Sequence, residues 1–352
     1  MMAKNNMINE CQKLTTVPFD KEWKFFIDSM PNATIFHHPT WINTISEVYG
    51  YKATGFVLRD SFGEICAALP VAYVDSLLTG RRWVSYPFSD YCFPLYRSES
   101  DLDLFYNSML IFCEEEKIDP LEIHWSLPQL PHVQARPEAV LHLLKLDPDI
   151  DKIFADVHHK HRQHIRHAEK QGVRIEWGHY TRALHTFYNL HTETRRRQGV
   201  PVQPWKFFEQ LGKNVIETGH GFILLAYHED QCIAGGVFLH YNKTLTFKYS
   251  ASRQEMLHFQ PNKLIAWKAI QWGCENGYTL FDYGKTDTED DGLRTYKSRW
   301  GAQEQPLIYS SISNKPFHTR TGHLNSIVEG VIKNSPLWVC RLSGEFLYKH
   351  FA

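Results

Sequence analysis

The chain has 352 residues, of which 43% are hydrophobic and 14% aromatic, a composition that excludes a disordered chain and allows two packed cores. The 38 Lys and Arg residues balance 39 Asp and Glu residues, so no overall charge draws the protein to nucleic acid or anionic lipid. Seven scattered cysteines without a Cys-x-x-Cys pair argue against zinc or a redox dithiol and predict reduced thiols in a cytoplasmic protein. The sequence predicts neither a signal peptide nor a membrane span, because it has no run of 18 apolar residues.

The first half of the chain combines helix and strand patterns. Periodicity predicts helices at residues 20–30, 39–49 and 101–117, and strands at residues 52–59, 64–74, 81–86 and 121–124. Thr40 is the expected N-cap of the second helix, and Gly50 is its expected end. The segment Asp60-Ser-Phe-Gly63 has the composition of a hairpin turn.

The second half repeats this order. It predicts strands at residues 173–177, 221–227, 231–240, 244–251 and 279–282, and helices at residues 182–197, 205–216 and 261–276. The segment Gly63-Glu-Ile-Cys-Ala-Ala-Leu-Pro-Val71 parallels Asp230-Gln-Cys-Ile-Ala-Gly-Gly-Val237, which supports two copies of one α/β unit. A linker is expected near Pro148, where clustered acids break both periodicities.

These elements predict four regions. They are a tail at residues 1–16, a first domain at residues 17–148, a second domain at residues 149–315 and C-terminal amphipathic helices at residues 316–352. The order helix, helix, three antiparallel strands, helix, strand resembles that of the N-acetyltransferase (GNAT) superfamily. The fold class is therefore predicted to be α/β (α+β), with tandem GNAT-like domains that each have a mixed, mostly antiparallel sheet flanked by helices.

Three stretches resemble FemAB-like proteins, over roughly residues 36–309. The first is Lys160-His-Arg-Gln-His-Ile-Arg-His-Ala-Glu-Lys-Gln-Gly-Val173, similar to the basic helix that opens their second domain. The second is Thr194-Arg-Arg-Arg-Gln-Gly-Val-Pro201 with Phe207 and Phe208 after it. The third is Phe281-Asp-Tyr-Gly-Lys-Thr286 with Gly292-Leu-Arg-Thr-Tyr-Lys297 and Trp300-Gly301, similar to the terminal Phe-Asp-Phe-Gly-Arg-Ser and Phe-Lys-x-x-Trp-Gly signature.

The resemblance implies an N-acyltransferase that moves an acyl or aminoacyl group from an activated donor to an amine. The donor would be acyl-coenzyme A, held mainly by the second domain as a co-substrate, with no tightly bound cofactor. The acceptor would be a sugar-linked or peptidyl amine of a cell-wall or surface-polysaccharide precursor. The alternative is a non-catalytic GNAT-like module that binds a polysaccharide or peptidoglycan precursor.

Two departures from the family pattern concern the donor. Residues 197–221 leave no room for the coiled-coil arm of the staphylococcal Fem ligases, which disfavours a tRNA donor without excluding it. The segment 253–262 has no glycine, whereas coenzyme A-binding acetyltransferases hold the pyrophosphate with a glycine-rich loop. A helix that begins at Pro261 still offers N–H donors to a phosphate, and Asn262 lies at that position.

Two catalytic residues are expected in the third stretch. Lys297 is a candidate for holding an oxyanion or phosphate, and the alternative is a lysine whose stem covers apolar surface. Asp282 is a candidate base and Lys285 a candidate phosphate ligand, whereas a turn-capping Asp and a solvated Lys are the alternatives.

The basic helix predicts phosphate binding. Arg162 and Arg166 are the candidate ligands, although a charged helix face is usually only solvated. Histidines recur on this helix at i, i+3 from His158 to His167, but they lack neighbouring carboxylates or thiolates, so no metal site is predicted.

Four further candidates follow from topology. Tyr249 ends a strand where such folds admit the acyl donor, or else packs in the core. Arg197 and Tyr188 are candidate acceptor ligands on one helix, where three consecutive arginines cannot all face the same way. Asp90 is the corresponding acceptor candidate in the first domain.

Two amphipathic helices are expected at residues 324–332 and 337–348, separated by Pro336. Packing on the second domain is their default role. Because Lys333, Arg341 and Lys349 accompany aromatic residues, peripheral contact with a membrane that bears a lipid-linked acceptor is the alternative.

Overall fold

The computed structural model describes residues 13–76, 80–178, 180–314 and 329–351. These residues form two compact units. The first comprises the chain up to Glu138 and the segment that starts at Leu307, and the second runs from Ala139 to Pro306 and includes the C-terminal helices. The chain passes from the first unit to the second within one strand and returns within another.

The first unit contains three α-helices, six complete strands, the start of a seventh and, at residues 307–312, the end of the strand that returns to it. Those that precede the second unit are β1 (Thr15–Val17), α1 (Lys21–Asp28), α2 (Pro39–Tyr49), β2 (Lys52–Arg59), β3 (Ile65–Ser76), β4 (Gly80–Ser85), β5 (Leu95–Tyr96), α3 (Glu99–Glu115), β6 (Leu121–Ile123) and the start of β7 (Val133–Lys145). Strands β1 to β4 pair antiparallel in chain order, β5 pairs with β3, and β6 pairs parallel with β4. Helix α3 buries Phe105 and Met109 in a core with residues of β2 and β3.

The second unit holds the remaining elements. They are α4 (Ile150–Asp156), α5 (His159–Lys170), β8 (Arg174–Trp177), α6 (Tyr180–Gln198), α7 (Trp205–Leu211), β9 (Gly221–His228), β10 (Gln231–Tyr241), β11 (Thr244–Ser252), α8 (Pro261–Glu275), β12 (Leu280–Thr286), α9 (Asp291–Ser298), the start of β13 (Gln303–Ile312) and α10 (Leu337–Leu347). Strands β8 to β11 pair antiparallel in chain order, β12 pairs parallel with β11, and β7 pairs antiparallel with β12. A π-helical turn, Gly212–Ile216, extends α7.

Each unit therefore has the same plan of three antiparallel strands, a crossover helix and a parallel strand. In the first unit the chain runs from β4 through β5 and then α3 to β6. In the second unit α8 connects β11 to β12. The prediction of a mixed α/β fold with two similar domains, each with a mostly antiparallel sheet and flanking helices, is confirmed.

Several predicted boundaries differ from the observed ones. The second unit begins ten residues before residue 149, because residues 140–145 of β7 pair with β12. Residues 310–312 of β13 pair with β6, so this part of the predicted second domain lies in the first unit. The predicted tail is shorter than residues 1–16, since Thr15 and Thr16 pair with β2, and its first twelve residues lie outside the described part.

Local signals explain most helix ends. Gly50 ends α2 with a φ of 73°, as predicted. The N-cap of α2 is His38 and not Thr40, because Pro39 occupies the first helical position and the ring of His38 accepts from the N–H of Thr40. Asp60 accepts hydrogen bonds from Phe62 N and Glu64 N and so closes the predicted hairpin turn.

The described C-terminal segment is helical on both sides of Pro336, over residues 329–334 and in α10. Residues 324–328 of the first predicted helix lie outside the described part. No described helix combines the length and apolar character that crossing a membrane requires. The six described cysteines are free thiols, and five of them are buried.

Candidate functional site

Strands β11 and β12 separate in the second unit. Their parallel pairing covers residues 244–246 and 280–282, whereas β11 continues to Ser252 and β12 to Thr286. The pairing of β10 with β11 shifts register where Val237 faces Tyr249 and Phe238 faces Phe247, so Lys248 is the extra residue of a β-bulge. A bulge increases local twist and bends a strand. The two strands therefore form an opening, here called the strand fork.

The N-terminus of α8 follows β11 at this fork. Its N-cap, Gln260, has a left-handed backbone with φ of 60°, Pro261 is the first helical residue, and no side chain caps the helix. Asn262 donates from Nδ2 to Oγ of Ser252 at 3.3 Å, and its buried Oδ1 has no hydrogen-bond partner. Because the first N–H groups of a helix carry partial positive charge, this end of α8 favours an anion.

Helix α6 reaches the same residue of β11. Arg197 donates from Nη1 to the carbonyl oxygen of Ser252 at 3.1 Å, and Thr194 donates to the same oxygen at 3.2 Å. Thr194 also accepts from the N–H of Ser252 at 3.0 Å. The structure thus brings Arg197 and Asn262, predicted as ligands of different substrates, together at Ser252.

The corresponding helix of the first unit differs. The side chain of Ser98 caps α3 by accepting from the N–H of Asp101, and Glu99 and Asp101 lie in its first turn. These carboxylates disfavour an anion at that end. Of the two crossover helices, α8 therefore offers the better anion site.

Tyr249 and Tyr188 belong to one aromatic cluster of the second unit. Tyr249 lies with its ring centroid 5.7 Å from that of Phe208, and Tyr188 lies 5.5 Å from the same ring. The guanidinium of Arg341 lies 5.4 Å from the Tyr188 ring. Burial raises the pKa of Tyr188 to about 12. These contacts agree with the core-packing alternative for Tyr249.

Asp282 and Lys297 both hold a bulge in β12. The carboxylate of Asp282 is fully buried and accepts from the N–H of Gly284 at 2.7 Å. Gly284 has a φ of 68°, a value that suits glycine, and the pairing of β12 with β7 shifts register there. The buried ammonium of Lys297 donates to the carbonyls of Gly284 at 3.0 Å and Lys285 at 3.2 Å. This is the turn-capping geometry that competes with the predicted role of Asp282 as a base.

A polar network lies beside Lys297. His142 is fully buried, and its Nε2 lies 3.0 Å from Oε1 of Glu304, while its Nδ1 lies 3.4 Å from the hydroxyl of Thr286. Arg294 donates to both carboxylate oxygens of Glu304, at 3.0 and 2.9 Å. Burial lowers the pKa of His142, and the positive charge of Lys297 lowers it further. The sequence did not indicate His142 or Glu304, because neither β7 nor β13 was predicted.

A cavity of about 790 Å³ borders α9 in the second unit. Its lining has both charge signs and consists of Asp156, His158, Asp291, Arg294, Thr295, Ser298, Arg299, Gly301 and Glu304. The fork residues Ser252 and Asn262 do not line it.

Two predicted phosphate ligands point elsewhere. Arg162 donates to the carbonyl of Ala155 at 3.2 Å, and the guanidinium of Arg166 lies 5.5 Å from the ring of Phe154. Both contacts are to α4, and neither residue has a described contact to the fork. Asp90 lies in the first unit, where its carbonyl accepts from the hydroxyl of Tyr309 at 2.8 Å. Among the described residues, no three His, Cys, Asp or Glu side chains are arranged to hold a metal ion.

Parts of the chain are similar in sequence to known proteins. A model described as an acetyltransferase (GNAT) domain matches residues 155–298. The lipid II:glycine glycyltransferase of Staphylococcus saprophyticus subsp. saprophyticus is 32% identical over 94 residues, which are 24% of this chain and 23% of that protein. The match thus spans about a quarter of this curated relative.

Two solved structures share the fold. The crystal structure of FemX matches with a TM-score of 0.67 and 16% identity, over 90% of this chain and 100% of that one. A tandem GNAT protein from the clavulanic acid biosynthesis pathway matches with a TM-score of 0.52 and 12% identity, over 86% of this chain and 100% of that one. Residues 155–298 thus match a GNAT domain, and the chain shares its fold with FemX and with a tandem GNAT protein.

Proposed function

We propose that the protein is a transferase that moves an aminoacyl or acyl group from an activated donor to an amine of a cell-wall precursor. The observation that carries the proposal is the uncapped N-terminus of α8 beside the strand fork, with Asn262 and Arg197 joined at Ser252. A fork admits an extended acyl chain, and the helix end suits the phosphate groups that activated donors carry. The donor site is accordingly assigned to the second unit.

The acceptor follows from the curated relative. Its name describes the transfer of glycine to lipid II, a cell-wall precursor. An amine of such a precursor, peptidyl or sugar-linked, is therefore the acceptor class proposed for this chain.

Two donors compete. Acyl-coenzyme A, bound as a co-substrate and not as a tightly held cofactor, was favoured by the sequence because the chain lacks room for a coiled-coil arm. An aminoacyl ester of tRNA is favoured by the glycyl transfer in the relative's name. Both donors carry phosphate groups, so the site at Ser252 supports either.

The reaction needs no covalent enzyme intermediate. The acceptor nitrogen attacks the acyl carbonyl carbon, a C–N bond forms and the bond to the donor's sulfur or oxygen breaks. The proton that the amine loses ends on the departing sulfur or oxygen, which leaves as a thiol or an alcohol. Lys297 and Asp282 would fix the β12 wall of the fork through Gly284, and Lys297 is the candidate for stabilising negative charge near that wall.

The test is thermal unfolding of the purified protein with each donor class. One series contains acetyl-coenzyme A and longer acyl-coenzyme A species, and another contains a short RNA hairpin that ends in CCA and carries glycine. A ligand at a concentration of about 100 times its Kd stabilises the folded protein by about 2.7 kcal/mol, which raises Tm by several degrees. Transfer to a lysine-containing peptidoglycan precursor is then measured by mass spectrometry with the donor that shifts Tm. The proposal fails if neither series shifts Tm and neither supports transfer.

A further inference from the structure

Five basic side chains of the second unit converge where α5, the start of α8 and the end of α9 meet. They are called the cation cluster and consist of His158, His161, His164, Lys263 and Arg299. The three histidines follow each other at i, i+3, so they share one side of α5. Helix α5 packs against α8. Nothing in the proposed reaction uses these residues.

Contacts through Tyr296 join the three elements. Nε2 of His161 donates to the carbonyl of Tyr296 at 3.0 Å, and the two rings lie 5.2 Å apart. The ammonium of Lys263 lies 5.6 Å from the same ring. At the end of α9, the carbonyl of Arg299 accepts from the N–H of His158 at 2.9 Å. These contacts hold α5, α8 and α9 together and so fix the positions of the cluster residues.

The cations of the cluster form no ion pair with a described carboxylate, although Asp156 lines the same cavity as His158 and Arg299. None of the ion pairs formed by the described residues includes Lys263 or Arg299. Burial lowers the pKa of His161 to about 4 against the opposing hydrogen bond to Tyr296, and the positive charges of Lys263 and Arg299 lower it further. Burial also lowers the pKa of Lys263, and Arg299 adds to that effect. Lys263 and Arg299 are half-buried, and the ammonium of Lys263 donates to a neutral oxygen, Oε1 of Gln260, at 2.7 Å. A bound anion would supply the negative charge that these partly desolvated cations lack.

Two ring nitrogens identify where protons can be added. Nδ1 of His161 and Nδ1 of His164 are buried without a hydrogen-bond partner. Because Nε2 of His161 already donates to Tyr296, its second proton must go to Nδ1. His161 itself is only 1% exposed, so that proton would sit in a site shielded from solvent.

We propose that the cation cluster binds a phosphate-type anion, a phosphodiester or pyrophosphate, and that its histidines take up protons as the anion binds. The assignment of this anion to the donor rests on the proposed function, whereas anion binding itself does not. The cluster replaces Arg162 and Arg166 as the phosphate site of α5, since those two side chains contact α4.

The groups that face the three histidines determine how anion binding depends on pH. They are His159, Lys160, Arg162 and His167 on α5, Lys263 on α8, Tyr296 and Arg299 at α9, and Asp156 on α4, which lines the same cavity as His158 and Arg299. Burial lowers the pKa of His161 and His164 in the free protein, and the positive charges of Lys263 and Arg299 lower both further. A bound anion raises the histidine pKa values, so binding takes up protons. The affinity of the cation cluster for the anion should therefore increase as pH falls from 8 to 6.

Calorimetric titration with sodium sulfate tests the site, because sulfate keeps its charge between pH 6 and 8. The variants are Arg299→Gln and His161→Gln, and the matched control is Lys152→Gln, which removes an exposed charge from α4. We expect roughly tenfold weaker sulfate binding for Arg299→Gln, since a charge-assisted hydrogen bond is lost. We also expect a flatter pH dependence for His161→Gln and no change for Lys152→Gln.

A second measurement does not depend on variants that fold. Imidazole NMR titration of the wild-type protein should show the pKa values of His161 and His164 rising when sulfate is added. If the histidine pKa values did not change, or if Arg299→Gln bound sulfate as tightly as wild type, the proposed anion site would be wrong.

Competition experiments distinguish the source of the anion. Adenosine 3′,5′-diphosphate stands for coenzyme A, the trinucleotide CpCpA for tRNA, and uridine diphosphate for a nucleotide-linked acceptor. Displacement of sulfate by either of the first two supports the assignment to the donor, and displacement by uridine diphosphate alone overturns that assignment. Sulfate binding in a protein that transfers no acyl group would contradict the proposed function while leaving the anion site intact.

Discussion

Lys297 is a buried lysine, and the structure explains how the second unit accommodates its ammonium. The backbone carbonyls of Gly284 and Lys285 accept hydrogen bonds from its ammonium where β12 bulges. Those carbonyls need a donor because the register of β12 against β7 shifts between residues 282 and 285. The family-like Tyr296-Lys297 pair therefore has a structural role in addition to the proposed chemical one.

Replacing Lys297 with Met tests this double role. The variant leaves two buried carbonyls without their donor, at about 1–3 kcal/mol for each unsatisfied group, so the free energy of unfolding should fall by a few kcal/mol. Transfer activity should be lost as well. Urea unfolding and the transfer assay measure the two effects.

Lys285→Met is the matched control for stability. It removes a neighbouring ammonium but keeps the backbone carbonyl that Lys297 contacts. A Lys297→Met variant as stable as Lys285→Met would show that the two hydrogen bonds contribute nothing to folding.

At the scale of elements, helix packing depends on a few close approaches. Helix α10 packs against α6, where Arg341 donates to Asn189 at 2.8 Å. A Cβ at Gly344 would lie 2.0 Å from the carbonyl oxygen of Val202. Glycine at this position lets α10 approach the backbone that follows α6.

Gly344→Ala should therefore displace α10. The overlap is with backbone, which cannot yield as a flexible side chain does, and overpacking of this kind costs about 1–3 kcal/mol. We expect a lower Tm and faster proteolytic cleavage of the C-terminal segment.

Gly330→Ala provides the comparison. Gly330 lies in the helical residues 329–334, and nothing lies within 4 Å of an added Cβ there. Alanine is the better helix former by up to about 1 kcal/mol, so this variant should be neutral or slightly more stable. Equal Tm losses for both variants would disprove the packing argument.

At the scale of the whole molecule, the 20 histidines give the protein its sensitivity to pH. Burial lowers the pKa of His37 in the first unit to about 4, and that of His191 in the second unit to about 3. His37 lies 2.9 Å from the carbonyl of Phe93, and His191 lies 2.8 Å from Oε1 of Gln203. Each unit therefore contains a histidine that stays neutral when folded and accepts a proton readily when unfolded.

Both units should lose stability in acid. Because the folded pKa lies below the usual 6.5, the unfolded chain binds more protons between pH 6.5 and 4. The histidine contribution is complete above pH 6.5 and is lost as pH falls toward 4, on the order of 3 kcal/mol for His37. Urea midpoints at pH 7.5, 5.5 and 4.5 should fall in that order, and less steeply for His37→Gln. A midpoint that is constant from pH 7.5 to 4.5 would contradict this expectation.

The amino-acid sequence by itself determined the local elements and the duplicated plan. The end of α2 and both bounds of β2 were predicted correctly, because glycine and the Asp60 turn act within a few residues. It also singled out Lys297, Asp282 and Arg197 by their place in family-like stretches, and Asn262 by its place at the start of a predicted helix. Neither β7 nor β13 was predicted, since β7 contains Pro137 and an early run of polar residues, and β13 begins with Gln303-Glu-Gln.

Only the tertiary structure decided which of these side chains meet. His142 reaches Glu304 across 162 residues, and Arg197 reaches Ser252 across 55. Periodicity reports the face of a helix but not its partner, so the direction of Arg162 toward α4 and the convergence of His161, Lys263 and Arg299 could not be derived from spacing. Burial and charge at those positions arise from packing between distant segments, and that packing distinguishes a solvated basic helix from an anion site.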